Sequence, residues 1–360
     1  MIPDSIEAIQ AAVREHVRVH VHGARTKSAL HPPNNVIPSD SEESRPSLGM
    51  TEAMCEIDMR QLSGVLQYDA QEFVLTALAG TPVREVEGIL AAQGQYLPFD
   101  PLLSERGATL GGTVAANANG PGRFRYGGVR DFLIGTRFID GAGQLIQGGG
   151  KVVKNAAGFD YPKLMVGSYG RLGILVELTF KVFPRPQAYH TVLVNQPDLD
   201  STLNALYKLT SAPLDIEALD FVPTLTGAGY VLHIRIGGLQ SALMQRAERL
   251  RQTLGNGGIL SEADDGSFWR DVRELNWAGD RPVYKLPITP ARITALETIL
   301  GPQNTPRRYS VGGNVAWLTT PAPDEFDAQR FIGEYSALQP TSHVFAQRIK
   351  QALDPERKLV

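Results

Sequence analysis

The stretch GKVVKNAAGFDYPKLMVGSYGRLG, residues 150–173, concentrates glycines and cations where most protein segments carry bulky side chains. Its last part, Gly167 to Gly173, repeats glycine every third residue and adds a serine. Small residues allow successive backbone N–H groups to converge on phosphate oxygens, and a nearby hydroxyl supplies a further donor. The stretch therefore predicts a loop that approaches a diphosphate closely.

Two other segments of the same kind precede it in the chain. HGARTK at residues 22–27 and TLGGTVAAN at residues 109–117 also combine glycine with hydroxyl side chains. Each segment alone is compatible with tight turns that bind nothing. Three such segments within the first half of the chain favour one shared phosphate-containing ligand.

The composition describes a globular protein with more than one domain. The chain has 360 residues, of which 42% are hydrophobic and 20% charged, so it can form two cores. Its net charge of −3 gives no electrostatic reason to expect nucleic acid or an anionic membrane as a partner. No apolar run approaches the roughly 20 residues that span a bilayer, and the N-terminus does not resemble a signal peptide. We therefore expect a cytoplasmic protein without direct membrane insertion, which reaches the inner membrane only through partners.

Cysteines and histidines argue against a metal centre in this chain. The single cysteine, Cys55, lies in the apolar stretch EAMCEID and is expected to be a core residue. One cysteine cannot hold an iron–sulfur cluster, so any such cluster must lie on another chain. His20 and His22 are the only close pair of histidines, and we expect no metal site there.

Hydrophobic periodicity predicts strands and helices along the whole chain, and thus an α+β fold. Strands are expected at VRVHVHG and EAMCEID, and helices at TPVREVEGILAAQGQ and ALMQRAERLRQTLG. The segment FPRPQ, which ends at residue 187, is the clearest break. We predict one domain over residues 1–186, a second α+β domain with a sheet covered on one side over residues 187–340, and a C-terminal helix over residues 341–360.

The common catalytic motifs are absent from the sequence. It contains no G-x-S-x-G, no H-E-x-x-H, no P-loop and no G-x-G-x-x-G after a strand. Arg307 and Arg308, a basic pair that could bind a carboxylate, follow Pro306 and are expected to lie in a solvated turn.

The segments that carry these glycines resemble a known family. VHGARTK, ATLGGTVAANANGPGRFRYGG and KNAAGFDYPKLMVGSYGRLGILVELTFKVFPRP are similar to the FAD-binding domain of the vanillyl-alcohol oxidase / p-cresol methylhydroxylase (PCMH) superfamily, and within it to the FAD-binding, E-type subunits of bacterial glycolate oxidase. The resemblance covers residues 15–186 strongly and continues weakly through the second half. It implies a PCMH-type domain of two α+β subdomains that hold an extended FAD, followed by a ferredoxin-like α+β cap domain.

The resemblance also implies which residues bind FAD. Four segments contribute, in chain order: the first pyrophosphate loop with Gly23, Ala24, Arg25, Thr26 and Lys27; the second wall with Pro98, Thr109, Gly111, Gly112, Thr113, Ala115 and Asn117; a third segment with Lys154, Asn155, Gly158 and Asp160; and the last loop with Gly167, Ser168, Gly170, Gly173 and, at the adenine end, Ile174.

Three departures from the family pattern shape the expectation. Covalent members carry a histidine in the first loop, where this chain has Arg25, so we expect dissociable, non-covalent FAD. Hydroxyacid dehydrogenases of the superfamily have a metal-binding histidine motif in the second domain, where this chain shows only His233. Relatives also continue into an Asn-Pro-Gly segment, so the tail after LDPERKLV is expected to be either truncated or divergent.

No catalytic residue can be assigned, but two cations are candidates for the flavin side. A flavin that accepts electrons needs positive charge or N–H donors near its N1–C2 edge. Arg125 lies in the matching loop, and Lys285 lies on a strand where relatives carry a basic residue.

The resemblance implies an FAD subunit of a glycolate oxidase-like complex. Electrons from a partner flavoprotein that oxidises glycolate or D-lactate would pass through this FAD to an iron–sulfur partner. Two alternatives stay open: a free-standing FAD-dependent 2-hydroxy acid dehydrogenase, and a flavoprotein scaffold without turnover.

Overall fold

The structure is a computed structural model that describes residues 1–27, 29, 54–150, 159–224, 227, 229–255, 257–323, 325–332 and 344–360. These residues form eleven α-helices: α1 (Ile6–Glu15), α2 (Val83–Ala91), α3 (Leu110–Ala115), α4 (Arg123–Tyr126), α5 (Val129–Phe132), α6 (Tyr161–Met165), α7 (Leu199–Ser211), α8 (Gln240–Leu254), α9 (Glu262–Arg273), α10 (Pro290–Leu300) and α11 (Val344–Leu353).

The same residues form seventeen strands: β1 (Val19–His22), β2 (Cys55–Asp58), β3 (Val65–Asp69), β4 (Val74–Leu78), β5 (Gln95–Tyr96), β6 (Leu133–Ile139), β7 (Leu145–Gly149), β8 (Ile174–Lys181), β9 (Phe183–Pro184), β10 (Ala188–Gln196), β11 (Ile216–Pro223), β12 (Tyr230–Gly238), β13 (Gly257–Ile259), β14 (Val283–Pro287), β15 (Arg307–Ser310), β16 (Val315–Leu318) and β17 (Gln329–Ile332). The α+β fold class expected from the sequence is confirmed.

The N-terminal strand pair is small and parallel. β1 pairs with β2, and α1 packs Ile9 and Val13 against Ile57 of β2 in one apolar cluster. The far end of the chain joins this pair, because Val19 N donates to Lys358 O at 2.8 Å and Val360 N donates to Val19 O at 3.2 Å. β1, from which the next loop leaves, is therefore hydrogen-bonded both to β2 and to the segment 358–360.

A five-stranded antiparallel sheet follows, in the order β3-β4-β8-β6-β7. The helix α2 lies in the same apolar core with Val83, Val86 and Leu90, each fully buried. These three residues have the helical spacing that the sequence predicted, so burial of this stripe explains why the segment is a helix.

The second half of the chain builds one antiparallel sheet of eight strands, in the order β13-β10-β12-β11-β15-β16-β14-β17. Its first half runs β-α-β-β-α-β with spatial order 4-1-3-2, which is the ferredoxin-like arrangement. The other four strands, numbered in chain order, lie in the spatial order 2-3-1-4, which is the reverse of 4-1-3-2. Phe221 of β11 pairs with Tyr309 of β15 at the join between the two halves.

Both faces of the eight-stranded sheet are covered, where the sequence predicted cover on one face only. α7, α8 and α10 pack on one face through an apolar cluster that includes Leu206, Leu243 and Ile293. On the other face, Val283 and Trp317 join the core of the first half of the chain. This opposite face therefore helps to enclose the site described next. Within the described part of the chain, no helix is long and apolar enough to cross a membrane.

Candidate functional site

The first glycine-rich loop leaves β1 and turns into a cleft. A Cβ on Gly23 would lie 2.4 Å from Thr109 Oγ1, so only glycine allows this loop to touch the second segment. Lys27 ends the loop with 4% of its surface exposed, and its Nζ donates to Thr26 Oγ1 at 3.2 Å. Burial lowers the pKa of Lys27 to about 8. A buried ammonium without a carboxylate within 4 Å, among the residues described, is suited to an anionic ligand.

The second segment forms the short helix α3 beside this loop. Thr109 caps it, with Thr109 Oγ1 accepting from Gly112 N at 3.2 Å. Gly111 N donates to Ala79 O at 2.7 Å, and a Cβ on Gly111 would lie 2.9 Å from the Cβ of Ala79. Gly111 is therefore required by packing on the end of β4. A Cβ on Gly112 would come within 4.0 Å of Lys27 Nζ, which places that side of the helix against the cation.

The last glycine-rich loop is bound to the C-terminal end of α3. Gly167 N donates to Val114 O and Tyr169 N donates to Ala115 O, both at 3.0 Å. Gly167 and Gly170 have φ values of 79° and 80°, which glycine adopts without strain. The three segments that the sequence singled out thus meet in space. The cleft is lined by residues from all three: Gly23, Ala24, Arg25, Thr26, Lys27, Thr109, Gly111, Gly112, Ala115, Gly170 and Gly173.

A larger cavity of about 540 Å³ continues beyond Tyr169, whose side chain lines both spaces. Lys285 of β14 lines this cavity with 8% of its surface exposed, and its Nζ donates to Asn117 O at 2.7 Å. Burial, then Arg123 and Lys27, lower the pKa of Lys285 to about 8. Gln329 of β17 lies opposite Lys285 in the sheet, and its Oε1 accepts from the Tyr169 hydroxyl. We call this space the ring cavity.

Several donors in or near these spaces have no hydrogen-bond partner among the described residues. Among the described residues, the buried Oγ atoms of Thr113 and Ser168 and the buried Nε2 of Gln329 make no hydrogen bond. The backbone N–H groups of residues 24–27 donate to no backbone carbonyl in the same described set. Buried polar groups are rarely left without partners. Two buried ammonium groups and these donors therefore fit an elongated ligand with an anionic bridge.

Some residues expected at the site lie elsewhere. Arg125 does not line the ring cavity: its Nη2 pairs with Asp215 at 2.7 Å, and its Cζ lies 5.1 Å from the ring centroid of Tyr126. Pro98 lines a different cavity, together with Tyr96 and Glu217.

Other expected residues have structural surroundings of their own. Asp160 is exposed and caps α6, with its carboxylate accepting from Lys163 N at 3.2 Å. Ile174 is the first residue of β8 and is fully buried in the core beside α1 and β2, and a Cβ on Gly173 would contact Phe138. Lys154, Asn155 and Gly158 lie outside the described residues.

Three of the described histidines, His20, His22 and His233, are buried in strands. Burial, then His22, lower the pKa of His20 to about 4, and His22 Nδ1 lies 2.9 Å from Gly23 O. His233 is buried in β12 and stacks on Phe268, with ring centroids 4.8 Å apart. The part of the chain that the structure describes has no group of three or more His, Cys, Asp or Glu side chains that could hold a metal.

Two residues of the ring cavity were not anticipated from the sequence. Tyr169 stands inside the glycine-rich loop GSYG, so its position was a usable signal. Gln329 had no local signal, because only the pairing of β17 with β14 brings it beside Lys285.

Comparisons with known proteins find an FAD-binding domain and relatives that are subunits or enzymes of hydroxy acid oxidation. A family model described as an FAD binding domain matches residues 44–149. The chain is 33% identical to the glycolate oxidase subunit GlcE of Escherichia coli (strain K12), over 97% of this chain and 93% of that protein. It is 30% identical to a D-2-hydroxyglutarate dehydrogenase of Xanthomonas citri pv. viticola, over 61% of this chain and 44% of that protein. It is 29% identical to the glycolate oxidase subunit GlcD of Bacillus subtilis (strain 168), over 49% and 37%.

Among solved structures, an alkyldihydroxyacetonephosphate synthase has a TM-score of 0.71 to this chain at 17% identity. The match covers 100% of this chain and 76% of that one. At this identity the likeness shows a shared fold alone.

Proposed function

The chain belongs to the family of the glycolate oxidase subunit GlcE and is an FAD-dependent oxidoreductase, and on this premise we propose that it is the electron-transferring FAD subunit of a complex that oxidises 2-hydroxy acids. Electrons from glycolate or D-lactate would enter through a partner flavoprotein subunit, pass through this chain, and leave to an iron–sulfur subunit.

The observation that carries the proposal is the extent of the similarity to GlcE. It covers 97% of this chain and 93% of GlcE, whereas the similarity to the D-2-hydroxyglutarate dehydrogenase covers 44% of that enzyme. The similarity therefore covers less than half of the dehydrogenase but nearly the full length of GlcE. This favours a subunit over a free-standing dehydrogenase.

The residues of the cleft fit the diphosphate of FAD. We assign the Lys27 ammonium and the N–H groups of residues 24–27, all of which line the cleft, to its oxygens. Arg25 replaces the histidine that tethers flavin in covalent members, and its guanidinium pairs with Glu56 at 2.6 Å. We therefore propose that FAD is held without a covalent bond and is released by acid or heat.

Bound FAD would supply the group that takes up and passes on electrons. The chain itself would hold positive charge beside the ring through Lys285, and Tyr169 would close the passage between cleft and ring cavity. Around the ring cavity, the described lining residues include no histidine and no glutamate, and their one aspartate, Asp327, is exposed. Oxidation of a hydroxy acid needs a base for the hydroxyl proton, and Lys285, with its pKa lowered to about 8, is a candidate for that role, so the relay proposal rests on the similarity to GlcE.

A reduction experiment on the purified protein tests the relay. The FAD-loaded protein alone should keep its yellow colour on addition of glycolate or D-lactate and lose it on addition of dithionite. Bleaching by either acid in the absence of other subunits would instead support the free-standing dehydrogenase. A protein that cannot be loaded with FAD would leave only the scaffold.

Purification of the native complex tests the partners. A tagged chain expressed in its own host should co-purify with a second flavoprotein and an iron–sulfur protein, and the complex should reduce a quinone analogue with glycolate. Omission of this chain should stop quinone reduction. Unchanged activity without it would contradict an electron-transferring role.

A further inference from the structure

A second polar cavity, of about 300 Å³, lies outside the cleft and the ring cavity and shares none of their described lining residues. One wall comes from α2 and the segment around β5 and Pro98. The other comes from β10, β11, β12 and α9. A volume of this size is at the lower end of small-molecule sites.

Glu217 is the under-paired acid of this cavity. Its side chain is 10% exposed, and among the described residues its carboxylate accepts no hydrogen bond. Its ion pair is long, with Arg125 Nε 3.9 Å from Oε1, and the buried Arg125 Nε has no hydrogen-bond partner in the described part of the chain. Burial raises the pKa of Glu217, with Arg125 opposing it. A desolvated carboxylate in a cavity is a group that a cationic or hydrogen-bond-donating ligand would satisfy.

Two phenols accompany Glu217. Tyr96 and Tyr189 both line the cavity, and the negative charge of Glu217 adds to burial in raising the pKa of each hydroxyl. Within the described part of the chain, the Tyr96 hydroxyl has no hydrogen-bond partner. The indole of Trp269 completes an aromatic wall. The Arg235 guanidinium already lies 4.0 Å from the Tyr189 ring centroid and 5.8 Å from that of Trp269, so a ligand ammonium would bind through Glu217 and the Tyr96 hydroxyl.

Among the described residues that line the cavity, one arginine has no ion pair with a carboxylate. Arg235 is neutralised by Asp265 at 2.7 Å, and Arg273 lies 3.4 Å from both Glu87 and Asp100. Arg185 is exposed, lies 5.9 Å from the ring centroid of Tyr189, and has no carboxylate within 4 Å in the described set. The cavity therefore presents a negative pole inside and a positive pole at its edge.

We propose that this cavity is a binding site for a small ammonium zwitterion of amino-acid size, whose ammonium group binds Glu217 and whose carboxylate binds Arg185. The site involves neither FAD nor the electron path, so it is independent of the function proposed above.

Calorimetric titration of the FAD-loaded protein tests the proposal. The probes are the twenty proteinogenic amino acids, with glycolate as an anion without an ammonium group and ethanolamine as a cation without a carboxylate. At least one amino acid should bind saturably, and both single-charge probes should bind at least tenfold more weakly. Binding of no amino acid, or equal binding of glycolate or ethanolamine, overturns the proposal.

Two variants locate the binding. Glu217→Gln keeps the shape and removes the charge, and should weaken the best amino acid at least tenfold. Glu177→Gln, which removes a carboxylate paired with Arg137 elsewhere in the molecule, is the matched control and should bind as the wild type does.

The other test variant, Gly266→Leu, fills the cavity and leaves its charged residues unchanged. Gly266 lines the cavity from α9, and a Cβ there meets nothing within 4 Å. Gly266→Leu should abolish binding while the melting temperature stays at or above that of the wild type, because leucine favours helix over glycine. Gly88→Leu, at an open helical position outside the cavity, is its control. Unchanged binding by both Glu217→Gln and Gly266→Leu would refute the site.

Discussion

Two buried lysines distinguish the candidate cofactor site from the rest of the molecule. Burial lowers the pKa of Lys27 and of Lys285 from 10.5 to about 8, and neither has a carboxylate within 4 Å among the described residues. Each shift corresponds to roughly 3 kcal/mol of unfavourable burial of the charged form. A protein without a ligand gains nothing from this cost, so both lysines are best explained by an anionic group that arrives later.

Replacement of Lys27 should separate binding from stability. In Lys27→Met we expect the dissociation constant for FAD to rise at least tenfold and the FAD-free protein to melt at a higher temperature, because a buried charge is removed. Flavin fluorescence titration and calorimetry measure the two effects. Lys163→Met, which alters an exposed lysine, is the control. Unchanged FAD affinity in Lys27→Met would contradict the assignment of the diphosphate site.

The same lysines should make the stability of the FAD-free protein depend on alkaline pH. Their folded-state pKa of about 8 lies below the unfolded value of 10.5, so the unfolded chain binds more protons between these values. Stability should therefore rise as the pH increases through this window. Urea unfolding at about pH 7 and about pH 9.5 measures the slope, which should flatten in Lys27→Met/Lys285→Met. An unaltered slope in the double variant would show that these groups do not titrate as described.

Local sequence predicted the positions of the glycine-rich loops better than the surroundings of individual arginines. Glycine and hydroxyl clusters are visible within a few residues, and the structure brings them together. Arg307 and Arg308 were expected in a solvated turn but are buried in β15, where they pair with Glu297 and Asp220. Their partners, like Asp215 for Arg125, come from other elements, and no local pattern reveals such a pairing.

At the scale of elements, α9 shows why periodicity alone is insufficient. The helix is capped by Ser261, but it docks through a buried polar network in place of a wide apolar stripe. Asp265, 2% exposed, accepts from Thr191 Oγ1 at 2.5 Å and from the guanidinium of Arg235. Trp269 Nε1 donates to the same threonine at 2.7 Å. A hydrophobic pattern does not record contacts of this kind.

Removal of the cation from this network should destabilise the protein strongly. Arg235→Leu leaves the Asp265 carboxylate buried without its partner, and we expect a loss of about 3–5 kcal/mol in the free energy of unfolding. Urea denaturation measures it. Arg251→Leu, which breaks an exposed pair with Glu248, should leave the midpoint unchanged. Similar midpoints for the two variants would show that the buried network does not hold α9.

The eight-stranded sheet marks another limit of the sequence at this scale. The strand and helix patterns over residues 187–340 predicted an α+β domain with a sheet covered on one side, and the family resemblance implied a ferredoxin-like fold for it. The structure contains that unit and a mirrored set of four strands, joined through β11 and β15. In the described residues no helix separates β16 from β17, so the second set lacks the alternation that identified the first.

At the scale of the whole molecule, the site is assembled from distant parts of the chain. Tyr169, which belongs to the last glycine-rich loop, donates to Gln329 of the eight-stranded sheet, and Lys285 of that sheet donates to Asn117. The fold class and the three loops were predictable from the sequence. The enclosure was not, because it depends on how the eight-stranded sheet packs against the rest.

A ligand that contacts all these parts should stabilise the folded molecule. With free FAD at 100 times its dissociation constant, we expect the free energy of unfolding to rise by about 2.7 kcal/mol. Urea titration with and without FAD measures the difference, and riboflavin, which lacks the diphosphate, should give less. An unfolding curve that FAD does not move would contradict a site in the folded state.

The tie between β1 and residues 358–360 constrains the order of events during biosynthesis. β1, which leads into the first phosphate loop, is hydrogen-bonded to residues 358–360. The ribosome synthesises these residues only after nearly all of this sequence. A nascent chain that lacks this stretch cannot give the loop its final support. Stable binding of the vitamin-derived coenzyme should therefore begin only after residues 358–360 have been synthesised, and cleavage near residue 357 should release it from protein that is otherwise intact.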